Sequence, residues 1–211
     1  MFGLSHFLSN AQDFVDNTPF FGVKGGYNYA TLRGSEIENS SFSGIHSLYV
    51  GAFMEIPLGT IFSIQPEILF SRQGAKWKKV GLLPDNELYE AKFRMDYINI
   101  PILANLKITE KFTFQIAPQF GFLVTPPDIW SETAIFNGKK SIDKEAFSSF
   151  YFALAFGGKY AISEQYFLDF RYTTSLTNVF SKNNESLQSA NISNQNYFRH
   201  SYFSVGVGYI F

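Results

Sequence analysis

The sequence predicts an all-β fold, an eight-stranded antiparallel up-and-down β-barrel that crosses a membrane. Three observations predict it. Apolar side chains recur at every second residue through long segments, and a strand sends successive side chains to opposite faces. Charged residues fall on only one of the two faces. Tight turns alternate with long polar connections, the signature of hairpins closed into an outer-membrane barrel.

The first strand spans about 20–31, with Phe21, Val23, Tyr27 and Tyr29 opposite Lys24, Gly26 and Asn28. The second, about 46–58, sets Leu48, Val50, Ala52, Met54, Ile56 and Leu58 against Tyr49, Gly51, Phe53 and Glu55. The third, about 61–72, sets Phe62, Ile64, Ile68 and Phe70 against Ser63, Gln65, Glu67 and Ser71. In the fourth, about 93–107, Ile98, Ile100, Ile102, Ala104 and Leu106 oppose Tyr97, Asn99 and Asn105. The fifth, about 112–124, sets Phe112, Phe114, Ile116, Phe120 and Phe122 against Thr113, Gln115, Gln119 and Gly121. The sixth, about 148–161, sets Phe150, Phe152, Leu154, Phe156 and Tyr160 against Ala153, Ala155, Gly157 and Lys159. The seventh, about 166–177, sets Leu168, Phe170 and Tyr172 against Asp169, Arg171, Thr173 and Ser175. The eighth closes at Phe211, with Phe203, Val205, Val207, Tyr209 and Phe211 opposite Ser204, Gly206 and Gly208.

Three prolines interrupt this pattern: Pro66, Pro101 and Pro118. Proline lacks the ladder donor, so each should mark a bulge or a local break in pairing. The tight turns are 58–60, 108–111 and 162–165. The long connections are about 32–45, 72–92, 125–147 and 178–198. Lys76, Lys78 and Lys79 fall in the second of these and read as a solvated loop. The glycine pairs Gly25-Gly26 and Gly157-Gly158 read as strand glycines that ease close packing or bending.

Composition narrows the class. The chain has 211 residues, of which 45% are apolar and 18% aromatic, with 25 Phe and 12 Tyr. That aromatic load suits a surface shown to lipid and to the membrane interface. The formal net charge of -1 gives no case for nucleic acid. Cysteine is absent, which removes disulfides and thiol chemistry. No apolar run is long enough for a transmembrane helix, which leaves barrel strands open.

The charges decide which face meets lipid. Lys24, Glu55, Glu67, Lys159, Asp169 and Arg171 share the second face, while the first carries almost none. A Lys or Arg facing lipid at midplane costs about 2–4 kcal/mol. The apolar face is therefore outside and the charged face inside. A soluble lipocalin-like carrier would have the reverse arrangement, with an apolar interior. Two readings of the inward charges stand: a proton or solute path, and a structural plug. About eight strands leave a lumen that side chains fill, which favours the plug.

Residues 1–19 read as a signal-peptide remnant or periplasmic N-terminal segment, and 20–211 as the barrel domain. Met1 to Ala11 are apolar and end in small residues, as a signal peptide does. Ser204, Gly206, Tyr209 and Phe211 look like the signal read by the outer-membrane assembly machinery, a polar residue, a glycine and two aromatics.

Several segments resemble the PorT-like outer-membrane β-barrel proteins. They are Phe21-Gly22-Val23-Lys24-Gly25-Gly26-Tyr27-Asn28, Gln65-Pro66-Glu67-Ile68-Leu69-Phe70-Ser71, Tyr97-Ile98-Asn99-Ile100-Pro101 and Phe167-Leu168-Asp169-Phe170-Arg171-Tyr172, with Leu176-Thr177-Asn178 beyond. The resemblance covers about 20–211. It implies the barrel fold and an envelope location, with secretion the role of the founding member.

Catalysis has few candidates. An outer-membrane lipid-modifying enzyme needs a nucleophile and a base, usually His. The histidines are His6, His46 and His200, and two precede serines, Ser47 and Ser201. Adjacent strand residues face opposite ways, so neither pair is a dyad. Both pairs read as interfacial residues at the outer rim. No phosphate loop, zinc spacing or calcium loop occurs, so no cofactor, metal or catalytic residue is expected. The expected partners are outer-membrane lipid, the assembly machinery, and an unknown protein or glycan at the long loops.

Overall fold

The computed structural model describes residues 18–34, 40–80, 88–125, 127–132, 137–141, 147–179 and 197–211. The proposed signal remnant, most of the last long connection and the tips of the others lie outside the described residues. The strands are β1 (Phe20–Gly34), β2 (Ser40–Ser43), β3 (Ile45–Pro57), β4 (Phe62–Val80), β5 (Leu88–Lys107), β6 (Phe112–Leu123), β7 (Asp128–Glu132), β8 (Asn137–Ser141), β9 (Phe150–Ala161), β10 (Tyr166–Ser175) and β11 (Phe198–Ile210). All pairings are antiparallel. β1 pairs with both β3 and β11, and β4 with β5, so the sheet closes. β2 prolongs β3 along β4, and β7 prolongs β6 along β5. β8 pairs with β7 as β9 pairs with β6, leaving eight staves in an up-and-down barrel.

The tight turns close as hairpins, with Leu58, Ile108 and Ile162 donating to Phe62, Phe112 and Tyr166 at 2.8, 2.9 and 2.8 Å. The other end departs from expectation. Most of 72–92 is strand: β4 and β5 stay paired up to Val80 and Leu88. Lys76 and Lys78 therefore stand on a strand, not in a loop, and both pair with Glu90. The connections expected at 32–45 and 125–147 likewise carry the end of β1 with β2, and β7 with β8. Polar composition misleads here because these staves rise beyond the bilayer, where their outer face meets water.

The prolines break pairing without bulging. The β3–β4 ladder skips Met54 and Glu55 opposite Gln65 and Pro66, yet resumes in the same register at Ile56–Ile64. The β4–β5 ladder skips Pro101 and the β5–β6 ladder skips Pro118 in the same way. An absent N–H removes a bond but adds no residue, so register survives. The one-residue bulge lies elsewhere, at Gly44: five residues separate Ser43 from Tyr49, while four separate their partners Lys76 and Ser71.

The outward residues Phe21, Leu48, Ile68, Ile116, Phe156 and Val207 are exposed, and their inward neighbours are buried. Arg72 and Asp96 mark where this apolar belt stops on β4 and β5. Above it the polarity inverts. Leu32, Met95, Leu123, Phe147, Val179 and Phe198 form an apolar core inside the barrel. Arg33, Arg94 and Arg199 stand exposed outside. Each solvent selects the wall it touches: hydrocarbon below and water above.

Candidate functional site: the barrel interior

Alternation along β1, β3, β4, β9 and β10 sends six charged side chains inward, and all are buried. They divide into two groups. In the larger, Arg171 on β10 donates to both oxygens of Glu67 on β4, at 2.9 and 3.2 Å, and to Asp169 at 3.1 Å. Lys24 on β1 lies 2.8 Å from Glu67 and 3.3 Å from Asp169. Two cations and two carboxylates thus alternate around one centre. Gln65 donates to Glu67 at 2.7 Å, and Tyr49 lies 3.5 Å from Asp169. The smaller group sits nearer the tight turns. There Lys159 on β9 donates to Glu55 on β3, and Ser63 donates to its other oxygen at 2.6 Å. Buried charge is tolerated only when paired and hydrogen-bonded in this way.

The alternation did not reveal that a neutral layer covers the charges. Tyr151 donates to Asn99 at 2.7 Å, and receives bonds from Gln73 at 3.0 Å and Gln119 at 2.8 Å. Gln119 also donates to the Tyr202 hydroxyl at 2.6 Å. The cavity left between the charged centre and this layer is about 10 Å³, the space of about one water. Glycines let the rings lie flat against the wall: a Cβ on Gly121 would sit 1.9 Å from Tyr151, and one on Gly208 would sit 2.0 Å from Phe167.

The two histidines among the described residues do not converge. His46 is exposed on the outer face, its ring 5.5 Å from Tyr27 and 5.3 Å from Tyr29. His200 is not interfacial as expected but buried in the upper core, 3.1 Å from the Tyr97 hydroxyl. It sits inside because β11 continues upward past the apolar belt. Ser47 donates to the Arg72 carbonyl at 2.6 Å, and Ser201 meets the Tyr172 hydroxyl at 2.8 Å. His6 lies outside the described residues. Of the remaining residues singled out, Ser204 is buried and donates to Asn28 at 2.6 Å. Gly206 faces inward against the Tyr49 hydroxyl. Tyr209 lies outward, 5.1 Å from Tyr166 and 5.6 Å from Phe211, in an aromatic cluster beside the tight turns.

A closed barrel with a charged interior and an apolar belt is built for lipid. Residues 10–181 match the family described as outer membrane protein beta-barrel domain. The chain belongs to that family. It is a protein of the bacterial outer membrane, so the lipocalin-like reading falls. Among solved structures it is similar to Neisserial surface protein A, at 11% identity and a TM-score of 0.53, over 90% of this chain and 97% of that one. It is also similar to Ail, the attachment invasion locus protein of Yersinia pestis, in complex with sucrose octasulfate (13% identity, TM-score 0.48, 92% and 99% covered). A third likeness is OprG from Pseudomonas aeruginosa (12% identity, TM-score 0.47, 92% and 97% covered). The first of these likenesses is one of fold alone, and the other two are weaker. No curated protein matches the chain in sequence.

Proposed function

We propose that this barrel is a non-enzymatic envelope protein with a plugged lumen that acts through the surface its staves raise above the membrane. The cross-lumen cluster of Lys24, Glu67, Asp169 and Arg171 carries the reading, because it spans the interior and leaves about 10 Å³ beside it. Opposite charges at these separations hold one another, so no member is available to pass ions or protons. The separation of His46 from His200 across the wall argues against a lipid-modifying site. The raised β4–β5 hairpin, with Lys76 and Lys78 paired to Glu90 and Lys92 over Trp130 on its outer face, is the proposed contact for a protein or glycan partner. The strand motifs support a PorT-like affinity within the family. The outward ridge of Tyr209 and Phe211 is the proposed contact for the assembly machinery. Planar-bilayer recording tests the plug. The purified barrel should give no steady conductance, and reproducible single-channel currents from the wild type would overturn the reading.

A further inference from the structure

A groove on the outer wall runs up through the lipid-facing surface to the edge of the apolar belt. It has a volume of about 980 Å³ and crosses β1 at Gly25, between Val50 on β3 and Val207 on β11. Its upper rim carries His46, Arg72 and Arg94. Gly25 keeps the groove's floor open, and packing does not demand a glycine there. A Cβ on Gly25 would meet its nearest atom at 3.3 Å. The other strand glycines with inward or crowded positions, such as Gly22, Gly26 and Gly51, would meet theirs at 2.3, 2.2 and 2.1 Å. A larger outward side chain would fit at residue 25 with a small adjustment and block the groove where it crosses β1.

The occupant follows from the walls. Leu48, Val50, Phe70, Val205 and Val207 belong to the belt that faces hydrocarbon, so the groove opens onto acyl chains. The rim lies at the end with long connections, which faces the outside of the cell in such barrels. Two guanidiniums line it there. Arg72 is held by a two-pronged ion pair to Asp96, at 2.7 and 3.1 Å. Arg94 is exposed and stands opposite Asp128 in the β5–β7 ladder. Guanidinium matches phosphate in geometry and charge. We propose that the groove holds a phosphate-bearing acyl lipid of the outer leaflet, one chain lying over Gly25 and the phosphate seated between Arg94 and Arg72. Asp96 limits the affinity by holding part of the Arg72 fork.

Native mass spectrometry of the detergent-solubilised barrel tests this, with dioleoyl phosphatidic acid, dioleoylglycerol and inorganic phosphate as probes. Phosphatidic acid should be retained as a single adduct, dioleoylglycerol more weakly, and phosphate alone not at all. Arg94→Gln should weaken phosphatidic acid about tenfold and leave dioleoylglycerol unchanged, a loss of about 1.4 kcal/mol. Gly25→Leu should remove both lipids, and Asp96→Asn should strengthen phosphatidic acid only. Heat-modifiable migration on gels reports folding of each variant; if Gly25→Leu does not fold, Arg94→Gln decides. Equal retention of the two lipids by wild type, or unchanged phosphatidic acid binding in Arg94→Gln, overturns the proposal. Lipid-free dimers lost in Gly25→Leu would assign the groove to a second copy and overturn it as well. The currents that test the plug are independent of every arm.

Discussion

Arg171 and Glu67 clasp each other across the lumen. Their staves, β10 and β4, are separated by β11, β1 and β3 on one side of the barrel, yet Nη1 and Nη2 of the guanidinium each reach one carboxylate oxygen, at 2.9 and 3.2 Å. The pair ties opposite walls together where backbone hydrogen bonds cannot.

Arg171→Ala should destabilise the barrel by about 3–5 kcal/mol, because it leaves the two buried carboxylates of Glu67 and Asp169 with Lys24 as their one cation. Urea unfolding in detergent micelles, read by gel mobility, measures this. Arg72→Ala, outside and half-exposed, should cost about 1 kcal/mol or less. Equal losses at the two arginines would show that the lumen pair is solvated rather than buried.

Proline replacement has a sign fixed by the lipid. The tight-turn bond from Leu58 to Phe62 places Met54 opposite Pro66 in a hydrogen-bonded position of the ladder, so the Met54 carbonyl lacks its donor. Pro66→Val restores the N–H. The lost rigidity of the unfolded chain costs about 0.4–1 kcal/mol, while a backbone group without a partner in hydrocarbon costs several. The variant should be more stable, with slower amide exchange at the neighbouring residues and a protected new amide at residue 66. A destabilised variant would mean that the carbonyl finds another partner.

Two glycine-to-alanine changes should separate sharply. Gly121→Ala drives a methyl group into the Tyr151 ring, forcing the ring from its bonds with Gln73, Gln119 and Asn99 at a cost of about 1–3 kcal/mol. Gly25→Ala should be near neutral. Thermal melts of the two variants make the comparison, and similar melting temperatures would contradict the packing described.

Acid should loosen the raised hairpin first. A hydrogen bond from Lys76, and beyond it the charges of Lys76 and Lys78, hold the Glu90 carboxyl below its ordinary value. A carboxylate lowered on folding contributes stability that is complete above its unfolded value, about 4.3, and is lost as pH falls through the lower folded value. Glu90 is partly exposed and stands on the raised hairpin, so the effect is local. Fluorescence of Trp77 should begin to change below about pH 4.3 while the barrel stays closed, and Glu90→Gln should abolish that step. A transition unchanged in Glu90→Gln would place its origin elsewhere.

The faces were legible in the sequence because a two-residue period leaves only one choice per strand. Phe21 and Lys24, or Ile68 and Glu67, sort themselves without knowledge of any partner. Pairings across the lumen were not legible. Glu67 takes Arg171 and Lys24 while Glu55 takes Lys159, and that division depends on the height of each residue, set by register. Height also hid the upper stretch of β4 and β5. Lys76, Trp77 and Lys78 read as a loop because their outward positions are charged, although the inward ones, Ala75, Ala91 and Met95, kept the alternation. The burial of His200 depends on the same height.

The inversion of the wall at Arg72 and Asp96 gives the protein a waterline. Sinking the barrel by one residue pair would drag that ion pair into hydrocarbon, and lifting it would bare Phe70 and Leu48 to water. Both displacements are opposed, so the bilayer holds the molecule at one depth. Whatever binds the raised hairpin then meets it at a fixed distance above the lipid headgroups.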